Sequence, residues 1–185
     1  MRRVALIYNP ESGQYSARRA KALRSIVAVL REAGVEADAL ETDAPGSART
    51  LAKTAMRNGY DTVIACGGDG TVHEALQALV GSDVALGVAP LGTANALAQN
   101  LGLGRSPVNA VRKLLTATPT KVPVGRIFYH DKTGVERSSY FTVAAGIGAD
   151  ALLMASMPPL KTAFWSPGCQ CKTTSTSRNN PARIM

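Results

Sequence analysis

The sequence predicts an α/β fold: a doubly wound, mostly parallel sheet followed by the start of an incomplete antiparallel β domain. Three observations carry this. Across residues 1–117, strand-like and helix-like stretches alternate four times, as a parallel sheet with crossover helices requires. The run Thr62-Val63-Ile64-Ala65-Cys66 is apolar and β-branched, and passes through glycines straight into a helical pattern, as a strand buried on both faces does. After Thr118-Pro119, two strand-like runs follow each other with no helix between. The expected units are therefore an α/β unit over 1–120, the beginning of a β-rich unit over 121–157 and an irregular or disordered tail over 158–185.

The elements follow in order. Val4-Ala5-Leu6-Ile7-Tyr8 is a first strand ending in the turn formers Asn9-Pro10-Glu11-Ser12-Gly13. A helix from about Ser16 places Ala20, Leu23, Val27 and Leu30 on one face, with Gly34 as its stop. Arg18, Arg19, Lys21, Arg24 and Arg31 line its other faces and read as solvated surface, with membrane docking as the minority alternative. Val35–Thr42 alternates as a second strand, and the next helix presents Ala48, Leu51, Ala52 and Ala55 before Asn58-Gly59. The third helix follows Thr71, Val72, Ala75, Leu76, Leu79 and Val80. Val84–Ala89 is a fourth strand, Leu97, Ala98 and Leu101 mark a short helix, and Ser106-Pro107 begins another as N-cap and N1. Lys121–Tyr129 and Ser138–Gly146 are strands about the hairpin turn Asp131–Gly134. Ala151–Met157 is helix-like until Pro158-Pro159. Lys172–Arg183 holds one apolar residue in twelve, too few to offset ordering entropy, so disorder is expected from about Trp165 onward.

Composition excludes several classes. No apolar run approaches the roughly 18–20 residues of a membrane helix, and residues 1–10 show no secretory h-region, which points to a cytoplasmic protein. The net charge of +8 is not a nucleic-acid signature. All 13 acidic residues lie at or before Asp150, so half of the excess comes from Lys161, Lys172, Arg178 and Arg183. No basic stripe carries interleaved aromatics. Cys66 reads as a small core residue, and Cys169-Gln-Cys171, with only His73 and His130 elsewhere, is too sparse for a structural metal.

The chemistry lies in the turns. In a doubly wound sheet, ligands bind beyond the carboxyl ends of the strands. Three of those ends carry small, polar, glycine-bearing turns, Asn9–Gly13, Gly67–Thr71 and Gly92–Asn95, and Thr42 marks the fourth. Glycines let the backbone approach an anion closely, and a helix N-terminus supplies N–H donors and a favourable dipole. Asp69 within such a turn can hold Mg²⁺ or accept a proton. The plainer reading of Gly67–Glu74 is a tight turn with Thr71-x-x-Glu74 as a capping box. That reading does not account for three such turns on one edge.

These turns resemble the signatures of the diacylglycerol kinase catalytic-domain family, bacterial lipid kinases related to sphingosine kinases and, more distantly, NAD kinases. The residues that carry the resemblance are Asn9-Pro10-x-Ser12-Gly13, Gly67-Gly68-Asp69-Gly70-Thr71-x-x-Glu74 and Pro90-Leu91-Gly92-Thr93-Ala94-Asn95. It covers roughly residues 2–155, and Tyr140–Ala151 resembles the family's entry to its second, β-rich domain. The resemblance implies transfer of the ATP γ-phosphoryl group to a lipid hydroxyl, diacylglycerol or sphingoid-like, with Mg²⁺ and with peripheral contact at the inner face of the membrane. It implies that Asp69 is the catalytic carboxylate. It also implies nucleotide contacts from Asn9, Ser12, Gly13, Thr42, Gly67, Gly68, Gly70, Thr71, Glu74, Thr93 and Asn95. No Walker A pattern occurs. Ala96 stands where many members have aspartate, which bears on the acceptor. Members run to about 300 residues with a C-terminal β-sandwich, whereas here the resemblance stops near Leu160–Phe164. The expectation is an interrupted reading frame with a foreign C-terminus. A catalytically inactive nucleotide-binding fragment and an NAD kinase-like enzyme are the alternative readings.

Overall fold

The computed structural model describes residues 1–10, 16–131, 133–143 and 171–185, with side chains outside the description at residues 16 and 171–180. The strands are β1 (Arg3–Tyr8), β2 (Glu36–Glu41), β3 (Thr62–Gly67), β4 (Ala85–Pro90), β5 (Thr120–His130), β6 (Glu136–Phe141) and β7 (Cys171–Ile184). The helices are α1 (Ser16–Glu32), α2 (Ser47–Arg57), α3 (Asp69–Leu79), α4 (Ala96–Asn100) and α5 (Pro107–Thr116). The sheet runs β2-β1-β3-β4-β7-β5-β6. β1 pairs in parallel with both β2 and β3, and β3 with β4. The direction of winding reverses between β1 and β3, so a ligand crevice belongs beyond Tyr8 and Gly67. α1 packs with α5, and α2 with α3, which sets two helices on each face when crossovers are right-handed.

The core follows from the apolar runs. β3 and β4 are buried along their whole length, with Val63, Ile64, Ala65, Leu86 and Val88 at 0–1% exposure. Burial of each such aliphatic side chain contributes about 1.5–3 kcal/mol. The α1 face is turned slightly from the expected one. Ile26, Val29 and Leu30 are buried, Leu23 and Val27 are half-buried and Ala20 is exposed. Gly34 ends α1 at φ +73°, with Val35 N donating to Leu30 O at 2.9 Å. Ser106 accepts from Asn109 N at 3.3 Å and caps α5, with Pro107 at its first position. Cys66 is fully buried, and desolvation pushes its thiol up to about 12.

Two expectations need correction. The third helix begins at Asp69 with Gly68 as N-cap and no side-chain cap, so Thr71 and Glu74 form no capping box. The tail is not irregular at residues 171–184, where β7 lies inside the sheet. It pairs in parallel with β4 (Ala85↔Arg183, Leu86↔Ile184) and antiparallel with β5 from Thr120↔Ile184 to Tyr129↔Cys171. A ladder to β5 runs along the polar strand, a second ladder to β4 is added only at Arg183 and Ile184, and Ala182, Ile184 and Met185 join the core. Arg183 Nη1 donates to Asp83 O at 2.9 Å, and Met185 N to Leu86 O at 3.1 Å. The helix expected over Ala151–Met157 lies outside the described residues.

β5 and β6 form the expected hairpin, in register from Gly125↔Phe141 to His130↔Glu136. Asp131 holds its turn. One carboxylate oxygen accepts from Thr133 N, Thr133 Oγ1 and Val135 N, and the other from Arg137 Nε at 3.0 Å. Those donors hold its carboxyl below the ordinary aspartate range.

Candidate functional site

β3 delivers the chain to the carboxyl edge of the sheet at Gly67. A Cβ there would stand 2.4 Å from Thr71 Oγ1, so the turn into α3 closes only around glycine. Gly68 is extended (φ −91°, ψ −172°) and leaves the N-terminus of α3 without a side-chain cap. Asp69, Gly70 and Thr71 are half-buried around that helix end. Its N–H groups and dipole therefore face the crevice, where an anion is stabilised.

The turn after β4 is built against this one. Leu91 N donates to Gly67 O at 3.0 Å, extending the β3–β4 ladder. A Cβ on Gly92 would lie 2.4 Å from Gly68 Cα, so the two glycine turns touch backbone to backbone. Asn95 adopts the left-handed conformation (φ 50°, ψ 49°) and folds its amide back on the turn. Its Oδ1 accepts from Gly92 N at 2.9 Å and its Nδ2 donates to Gly92 O at 2.8 Å. Asp69 then joins the two turns, with Oδ1 accepting from Ala96 N at 2.7 Å. Its second oxygen makes no hydrogen bond among the described residues. A carboxylate fixed by one oxygen beside an uncapped helix start can act on a neighbouring ligand with the other.

The remaining expected residues fall in different places. Thr42 is buried, and its N–H donates to Tyr8 O at 2.9 Å, at the same edge. Asn9 directly follows β1 and is half-buried. Thr93 is exposed at the turn after β4. Ser12 and Gly13 lie outside the described residues. Glu74 points away from the turn, accepting from Gly46 N at 2.9 Å and Ala48 N at 3.2 Å. It thereby caps α2, whose own N-cap, Gly46, has no side chain to do so.

Comparison with known proteins matches residues 3–127 to the diacylglycerol kinase catalytic domain. The chain belongs to the diacylglycerol kinase catalytic-domain family. It is 34% identical over 152 residues to a diacylglycerol kinase of Mycobacterium tuberculosis, covering 82% of this chain and 47% of that one. Against a diacylglycerol kinase of Bacillus subtilis it is 33% identical over 130 residues, 69% of this chain and 42% of the relative. A crystal structure of a diacylglycerol kinase from Bacillus anthracis superposes with a TM-score of 0.60 at 27% identity, over 69% of this chain and 45% of that one. The chain thus spans about half the length of these relatives.

Within this diacylglycerol kinase-family fold, three residues given no role at the site from sequence hold its surroundings, and one of them, Arg19, is half-buried where solvated surface was expected. Arg19 Nη2 donates to Leu91 O at 2.7 Å and ties α1 to the turn after β4. Burial lowers its pKa. The signal was present: Arg19, Leu23, Ile26 and Leu30 share one helical face, which places Arg19 on the packed side. Gln77 spans α3 and β6 with its amide, which donates to Tyr140 O and accepts from Tyr140 N, both at 2.8 Å. His73 Nε2 meets Ser139 Oγ at 3.0 Å. No sequence pattern links α3 to β6.

His73 makes this contact pH-sensitive. Burial lowers its pKa from 6.5 to about 4. A depressed histidine favours the folded state above the unfolded pKa, and that contribution is lost as pH falls from 6.5 toward about 4. The urea midpoint should fall over this window, and His73→Gln should flatten the fall. Asp131 acts at lower pH, below the ordinary value of 3.8. Equal slopes in both proteins would show that His73 does not titrate on unfolding.

Proposed function

We propose that this chain binds ATP across the turns Asn9–Gly13, Gly67–Thr71 and Gly92–Asn95, and belongs to an enzyme that transfers the γ-phosphoryl group to a lipid hydroxyl. The observation that carries the reading is Asp69, held by one oxygen between two interlocked glycine turns at the switch point of the sheet. The N-terminus of α3, with Gly68, Gly70 and Thr71, receives phosphate oxygens. Asn9, Ser12, Gly13, Thr42 and Thr93 border the nucleotide. Asn95 acts by shaping its turn, and Glu74 by fixing α2 beside the crevice. Asp69 orients or deprotonates the acceptor hydroxyl, or holds a metal ion. Residues 1–120 form the nucleotide unit, and 121–157 begin the acceptor side.

Among the described residues no group of three or more His, Cys, Asp or Glu gathers to hold a metal. Mg²⁺ is commonly held by one or two carboxylates plus substrate phosphates and water, so Asp69 with the nucleotide fits it. When bound, the ion neutralises charge developing on the phosphates. Among the described residues no helix is long and apolar enough to cross a membrane. The proposed enzyme is cytoplasmic and meets its lipid at the inner membrane face.

A second reading is that residues 1–185 bind the nucleotide without turning it over by themselves; the match spans 47% and 42% of two relatives. One assay separates them: Mg²⁺-dependent transfer of labelled phosphate from ATP to diacylglycerol and sphingoid bases in micelles, with NAD as soluble acceptor and ATP binding measured in parallel. Lipid labelling is the expected result. ATP binding without labelling supports the second reading, labelled NAD the NAD kinase-like alternative, and failure to bind ATP overturns the site.

A further inference from the structure

Glu41 ends β2 at the carboxyl edge of the sheet, and its carboxylate is only half used. Oε2 accepts from the Tyr8 hydroxyl at 2.8 Å, while Oε1 makes no hydrogen bond among the described residues. The side chain is exposed. We propose that Glu41 accepts a hydrogen bond from a ribose hydroxyl of the bound nucleotide, and so selects ribonucleotides over their deoxy forms, an inference that rests on the ATP reading above.

Three features support it. The first is position. Glu41, Tyr8 and Cys66 stand in one row across three adjacent strands, with Glu41 paired to Tyr8 and Tyr8 to Cys66. Two strand spacings therefore set Glu41 about 10 Å from the residue that leads into the phosphate turn, which suits the reach from a nucleotide's phosphates to its sugar. The second is topology. β2 flanks β1 on the side away from β3, and in doubly wound sheets that bind dinucleotides an acid in this region takes the ribose hydroxyl. The third is fixation. Thr42 N donates to Tyr8 O at 2.9 Å and carries the β1–β2 ladder past Glu41. The Tyr8 side chain packs against the core. Its bond to Glu41, together with desolvation, raises the phenol's pKa, so Tyr8 remains a proton donor to the carboxylate. One oxygen of Glu41 is thus held, and the other is left for a charge-assisted bond from a hydroxyl. Tyr8 acts as the positioning residue for Glu41.

The test is calorimetric titration with ATP, 2′-deoxy-ATP and 3′-deoxy-ATP in the presence of Mg²⁺, on the wild-type chain and on Glu41→Ala and Tyr8→Phe. Thermal melting checks that both variants fold. ATP should bind about tenfold more tightly than at least one deoxy analogue, because the missing hydroxyl leaves a carboxylate oxygen without its donor. The analogue that loses affinity names the hydroxyl. In Glu41→Ala the affinities for the three nucleotides should converge, and in Tyr8→Phe their ratio should narrow. Equal affinities in the wild-type chain, or an undiminished ratio in folded Glu41→Ala, overturn the role of Glu41 and leave the ATP reading standing. Failure of all three nucleotides to bind overturns both.

Discussion

Gly92→Ala should lower stability by about 3 kcal/mol, because the new methyl overlaps backbone on a neighbouring turn. The added carbon would stand 2.4 Å from Gly68 Cα, 2.9 Å from Asn95 Oδ1 and 3.2 Å from Gly68 N. Two of those three atoms are backbone, so no rotamer change relieves the contact. The turns must separate, which strains the Asn95 bonds to Gly92 and the Asp69 bond to Ala96. For a chain of this size the loss corresponds to roughly 6–12 °C in melting temperature. Gly68→Ala provides the contrast. Its conformation suits an L-residue and its Cβ would stand 3.3 Å from Gly92 Cα, so its stability cost should be clearly smaller. Equal melting of Gly92→Ala and wild type would mean that the two turns do not interlock.

Asp69→Asn should reduce phosphoryl transfer about 10²–10⁴-fold, as loss of a general base or an equivalent carboxylate does, while melting changes little. Asparagine keeps an acceptor oxygen for Ala96 N and removes only the charge. Asp69→Ala removes both, and should cost about 1 kcal/mol more through loss of the α4 cap. The pair separates the structural oxygen of Asp69 from the chemical one. Turnover is measured in this chain and, if it binds ATP without turnover, at the corresponding aspartate of a longer relative. Full activity in the asparagine variant would remove Asp69 from the chemistry.

The parts of this protein that could be read from sequence are local. The β3–α3 stretch announces itself because a buried strand, a glycine turn and a helix each leave a pattern within a few residues. The coincidence of three turns on one edge follows from alternation alone, since every parallel strand ends on the same side. What escaped depends on partners far along the chain. Glu74 sits where a capping box would put it, yet its carboxylate reaches 26 and 28 residues back to α2. Asn95 reads from sequence as a residue that meets the nucleotide or supports its site, but the two bonds of its amide to Gly92 could not be read there. Arg19 was legible by helical phase and was concealed by its charged neighbours. β7 left no trace, because hydropathy registers burial of side chains and a strand held chiefly by its backbone ladder to β5 need not show it.

The placement of β7 also sets the order in which the sheet can assemble. Strands β1 to β4 and their helices pair with elements nearby in sequence, and form early in topology-limited folding. β4 then waits for a partner about a hundred residues later in the chain, at Arg183 and Ile184. Until that loop closes, β4 presents an unpaired apolar edge, the kind of template on which nascent chains aggregate. The slowest step of folding and the period of greatest risk should therefore coincide at the Ala85–Leu86 ladder.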